Sequence, residues 1–244
     1  MSVQSSSQRL DLIKGVVSEL QVRQSEEDFV FTNTDKTAGG MAAAVLSIGG
    51  LSGAATGALL SSGDTADKVY KFVCKVGDQI VIGRFGEVTF TNGDEVEIVG
   101  ERRGNYISAY AIIRPSSRTI WMHPHCGRGR RAHMIHSIRW IALVSYGAPF
   151  FLALADYFLS NPSKGLMFLF LMPLLVGLIV AIVFSFVAAR FKKFSLLSSE
   201  IFATLHFNNP DKVDLPKLQK TTLKNATNEE RLAYHPHARW VYKY

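Results

Sequence analysis

The chain has 244 residues, a net charge of +7 and 19% charged residues, against about 25% in soluble globular domains. That deficit is what about 45 lipid-facing residues would cause, a pair of buried core helices in a soluble protein being the alternative. Two cysteines, Cys74 and Cys126, are too few for a disulfide framework.

Met1 to Gln8 is polar and shows no apolar core of a cleaved signal peptide. Leu10 to Asn33 reads as two strands. Leu12, Val16, Leu20 and Val22 fall on even positions, and Phe29-Val30-Phe31 follows the charged turn Glu26-Glu27-Asp28. An uncharged Gly/Ala/Ser stretch, Gly39 to Gly63, fills an insertion over residues 36–64. Gly49, Gly53 and Gly57 recur in it every fourth residue, on one face of a helix if a helix forms. Two readings stay open. It is a glycine zipper that enters a membrane or oligomerises, or a weakly structured insertion between strands, which the helix cost of glycine favours.

Residues 65–121 are strand-rich. Val69 to Val73 and Gln79 to Arg84 meet at Gly77-Asp78, and Glu87-Val88-Thr89-Phe90 runs to the turn Asn92-Gly93-Asp94. Glu95 to Val99 alternates, and Gly104-Asn105 reverses the chain into Tyr106 to Ile113, which Pro115 stops. Short strands at this spacing predict a small OB-like β-barrel, formed from residues 1–35 and 65–121 across the insertion. Tyr106, Tyr110, Arg102 and Arg103 are residue types that bind oligonucleotides on such barrels. A barrel wall and a solvated turn explain them as well, and nucleic acid is not the expected partner.

A basic His/Arg linker follows over residues 122–139. His123, His125 and Cys126 are zinc-ligand types, but they lack the paired spacing of a structural site, so no metal is assigned. Gly127 to Ala132 matches a dinucleotide fingerprint only superficially, being filled with arginine and outside any βαβ setting.

Residues 140–193 form the organising feature. Gly165 to Ala189 is uncharged, and Trp140 to Leu159 has Asp156 as its one charge. As a helix the former would span roughly 37 Å, more than the ~30 Å hydrocarbon core. The expectation is a transmembrane helical hairpin turning at Ser160 to Lys164. Arg128, Arg130, Arg131 and Arg139 precede it, and Arg190, Lys192 and Lys193 follow it. These seven are placed to bind anionic lipid headgroups. For a protein inserted during synthesis, they put both termini in the cytoplasm. Residues 194–244 read as an amphipathic helix, Ser195 to His206, and an aromatic tail. Trp240, Tyr242 and Tyr244 form either an interfacial anchor or an added strand. The fold class expected is therefore an α+β membrane protein, a small barrel followed by a two-helix hairpin. No nucleophile elbow, phosphate loop or His-Glu-x-x-His occurs, so neither catalytic residues nor a cofactor is assigned.

Tyr106 to Pro115, then His123-Pro124-His125-Cys126-Gly127-Arg128-Gly129-Arg130-Arg131-Ala132-His133 ahead of an apolar hairpin, resembles a bacterial family described as type VI secretion system effectors. The similarity covers most of the chain, and the linker motif is its most specific part. It implies a Gram-negative source, a role in contact-dependent competition, and a cognate immunity protein or secretion component as partner. On that reading the hairpin enters the inner membrane of a target cell and disrupts it. Gly49, Gly53, Gly57, Gly165 and Gly177 would serve a homo-oligomer, and Asp156 would line a polar path. The competing reading is a resident inner-membrane immunity, assembly or scaffold protein with a cytoplasmic barrel.

Overall fold

The structure is a computed structural model that describes residues 10–27, 67–159, 165–227 and 239–244. They fall into two units, one of residues 1–125 and 219–244 and the other of residues 126–218.

The first unit is built on a closed five-stranded barrel. Its strands are β1 (Asp11–Glu27), β2 (Asp67–Val76), β3 (Gln79–Phe85), β4 (Glu95–Arg103) and β5 (Tyr106–Arg114). They follow the order β3-β2-β1-β4-β5, and a parallel pairing of β3 with β5 closes the ring. This connectivity is the OB-like one expected. Two further strands continue the sheet from β5, β6 (Thr119–Met122) and then β7 (Val241–Lys243). The aromatic tail is thus an added strand, with Tyr242 opposite Ile120.

One expectation needs correction. Residues 11–27 form a single long strand that runs through Glu26 and Glu27, where a turn was expected. Asp11 to Val16 pair with β4, and Val17 to Glu27 pair with β2. The register slips between Ser18 and Gln21, where Glu19 takes a left-handed φ of 52°. A bulge of this kind bends a strand, so one strand turns a barrel corner and serves both neighbours. Val17 is buried, whereas the even-numbered Val16 and Val22 are exposed. Phe29 to Phe31 lie outside the described residues.

The interior is aromatic. Phe72 stacks on Phe85 at 5.0 Å, Phe90 meets Phe72 edge-on at 5.3 Å, and Phe90 meets Trp121 the same way at 5.3 Å. Glu87 to Phe90 is not a strand. This connection delivers Phe90 into the core, while Thr89 accepts a 3.1 Å hydrogen bond from the Trp121 indole. Gly83 makes room for the Phe72 ring, since a Cβ there would lie 2.5 Å from it.

The second unit is helical. α1 (Arg130–Ala142) passes through a π-helical turn (Leu143–Gly147) into α2 (Ala148–Leu159). α3 runs unbroken over Gly165–Thr204, roughly 60 Å at helical rise. Nothing in 190–194 breaks a helix, so the expected separate amphipathic helix is the last quarter of α3. Helix likewise begins at Arg130, within the expected linker. A 3-10 turn (Pro210–Lys212) follows, and then α4 (Leu215–Asn225), whose residues from Gln219 on belong to the first unit. Two helical stretches, Arg130–Leu159 and Phe170–Thr204, are long and apolar enough to cross a membrane, with 6% and 11% of their most apolar windows buried.

Candidate functional site: the apolar helix pair and its basic end

A helix that is apolar all round must be buried in protein or in lipid. These helices are not buried in protein. Phe151 and Leu152 on α2 are 69% and 71% exposed, and Ile179 and Phe186 on α3 are 62% and 70% exposed. Leu174, Leu175, Val176, Ile182 and Val183 are exposed as well. Such a surface on a soluble monomer would be an aggregation hazard.

The helices are in close contact at Gly177. A Cβ there would lie 2.5 Å from the Ser145 carbonyl oxygen and 2.9 Å from the Tyr146 ring. Ser145 is fully buried, and its Oγ has no hydrogen-bond partner among the described residues. It sits in the π-helical turn, a local widening that recurs where helices carry out specific contacts. Gly177, expected to face another copy, therefore packs within the chain. Gly165 opens α3. Gly49, Gly53 and Gly57 lie outside the described residues, as does the turn at 160–164. Asp156 is half-buried in the last turn of α2, at the end away from the basic residues.

The basic residues have different surroundings. Arg128 Nε lies 3.3 Å from Asp214 Oδ1, and the two residues also form an isolated β-bridge. Arg130 Nη2 lies 3.0 Å from Asp211 Oδ2, and its backbone N–H donates to Ser199 Oγ at 2.9 Å. The Ser199 hydroxyl, then Arg130, holds the Asp211 carboxyl below its ordinary range. These two arginines clamp the start of α1 to the segment after α3. Lys193 lies over the Phe194 ring at 5.0 Å. Arg131 and Lys192 instead line a groove between α1 and α3, while Arg139 and Arg190 are exposed.

The zinc-type residues have separate environments. The His123 ring lies 6.0 Å from Tyr110 and the His125 ring 5.1 Å from Trp240. Cys126 is buried, with its thiol 3.7 Å from the Phe194 carbonyl oxygen as donor. Burial pushes that thiol up to about 12, which disfavours the thiolate a metal needs. Among the described residues no group of three His, Cys, Asp or Glu could hold a metal ion.

On the barrel, Glu101 Oε2 accepts from Arg103 at 2.9 and 3.1 Å and from the Tyr110 hydroxyl at 3.0 Å. Arg102 reaches Gln79 at 3.2 Å and Asp11 at 3.8 Å. Three of the four residues weighed for oligonucleotide binding are thus engaged within the barrel wall. Tyr106 is partly exposed.

The sequence reading missed Ser145, Asp211 and Asp214. Ser145 was visible as a small polar residue inside an apolar run, the kind that marks a helix contact. The two aspartates had no local signal, since their arginine partners lie more than eighty positions earlier. Compared with known proteins, the chain matches no family model, no curated protein and no solved structure.

Proposed function

We propose that this chain inserts its helix pair into a bilayer as a two-span hairpin and acts there without catalysis, as a type VI secretion effector that disrupts the inner membrane of a target cell. The observation that carries the membrane part is the conjunction of length, absence of charge and outward-facing apolar side chains on α2 and α3. Lipid satisfies those side chains, and helices satisfy their own backbone inside it. The effector part rests on the linker resemblance and on the hairpin tip, where Lys164 is the single charge between Asp156 and Arg190. Few charges would need to cross. The partners that follow are the bilayer, anionic lipids, and an immunity protein or secretion component. Expression directed separately to cytoplasm and to periplasm, with membrane potential recorded, tests this reading. Depolarisation from the periplasmic form alone is expected, and a steady potential in both would oppose it.

The second reading, a resident immunity, assembly or scaffold protein, is favoured by one contact. Gly177 fits against Ser145 and Tyr146 of its own chain, so that part of the pair needs no second copy to fill its close-contact face. Orientation separates the two readings. A resident protein keeps its basic ends in the cytoplasm. An effector arriving from outside would push Lys164 inward and leave both ends in the periplasm. Single cysteines at Ser163 and at the exposed Glu200, probed with an impermeant thiol reagent after outer-membrane permeabilisation, distinguish them. Protection at 163 with labelling at 200 supports the effector, and the reverse supports the resident protein.

A further inference from the structure

The groove between α1 and α3 has a volume of about 760 Å³, within the range of small-molecule sites. One end is cationic, with Arg130, Arg131 and Lys192. The other is lined by Ile138, Ile141 and the small residues Ala188 and Ser185. His133 lies on the α1 wall, its Nε2 3.5 Å from the Ser137 hydroxyl of the same helix. Among the described residues no acidic side chain lines the groove. Beyond the cationic end the apolar lining, Ile138 to Ile141 on one wall and Ser185 to Ala189 on the other, covers roughly one helical turn. A cationic mouth, an apolar stretch beside it and small residues along one wall are complementary to one amphiphile.

We propose that this groove is a binding site for a single anionic phospholipid. Its phosphate would sit between Arg131 and Lys192, with an acyl chain along Ile138, Ile141 and Ala188. The proposal rests on the membrane-spanning reading and goes beyond it. General attraction of basic residues to a headgroup surface needs no cavity, whereas this site predicts one retained lipid with a preference for negative charge. Arg130 is shared with Asp211, so Arg131 and Lys192 are the discriminating charges.

The test is native mass spectrometry of the full chain in detergent, titrated with phosphatidylglycerol or phosphatidylethanolamine. Three proteins are compared: the parent, Arg131→Gln/Lys192→Gln, and Ala188→Leu, which narrows the apolar channel and keeps every charge. The parent should retain one phosphatidylglycerol in preference to phosphatidylethanolamine. Loss of two charges should weaken retention on the order of tenfold, and Ala188→Leu should weaken it too. Glycerol phosphate, the headgroup without chains, should not compete. Equal retention by the parent and both variants overturns the groove, and so does full competition by glycerol phosphate. Carbonate extraction of the parent keeps the two failures apart. Release from the membrane overturns the spanning reading, whereas integration with unchanged lipid retention overturns the groove alone.

Discussion

At the scale of the residue, burial decides what each side chain can do. Cys126 and Cys74 illustrate this, with thiols pushed up to about 12 and about 11 by desolvation. An unfolded thiol titrates near ~8.5. A folded value raised above the unfolded one contributes stability that is fully present below about pH 8.5. It is lost as pH rises through the folded values. Denaturation midpoints should therefore fall between pH 8 and pH 11, and Cys126→Ala should flatten that fall. Thiol labelling at pH 8 should be slow until denaturant is added, and rapid labelling of the native protein would refute the burial of these groups. Gly177 is the second decisive residue. Gly177→Val drives a methyl into Ser145 and Tyr146, and overpacking of this kind costs about 1–3 kcal/mol. Detergent-unfolding curves should show that loss, while Ser145→Ala, which removes an unpaired buried hydroxyl, should be close to neutral.

Elements differ in how far local sequence specifies them. The hairpin turns at Gly77-Asp78 and Gly104-Asn105 were legible, because turn residues separate alternating runs and the pairs Val76 with Gln79 and Arg103 with Tyr106 close them. The corner of β1 was not, because a bulge is set by what two neighbouring strands require of one strand. Phe90 shows the same limit. Its run reads as a strand by composition, yet tertiary packing uses it as a plug between Phe72 and Trp121. Phe90→Ala should cost about 3–5 kcal/mol, read as a lowered chemical-denaturation midpoint. If the midpoint is unchanged, the aromatic stack does not hold the barrel. The unbroken α3 was legible in its charge-free half alone. Its last quarter looked like a separate helix because the charges at 190–193 end the apolar run without ending the helix. The candidate site was legible as a cluster of basic residues. Its division into clamping arginines and groove-lining charges depended on Asp211 and Asp214, which only the fold brings near.

At the scale of the whole molecule, the chain joins a barrel with a protein-packed aromatic interior to a helix pair whose apolar surface faces outward. The two units use hydrophobic residues in opposite ways, one burying them against protein and the other leaving them exposed on two helices long and apolar enough to cross a membrane. Charge follows the same division, since the basic residues gather where α1 begins and α3 leaves its charge-free stretch. The measurement that bears most directly on this account is membrane integration of Val176→Arg, a substitution near the centre of the charge-free half of α3. An arginine at mid-span costs about 2.5–3.5 kcal/mol on insertion scales. The parent chain should resist carbonate extraction, and the variant should be released into the soluble fraction or degraded. If the variant stays with the membrane as firmly as the parent, α3 does not span it.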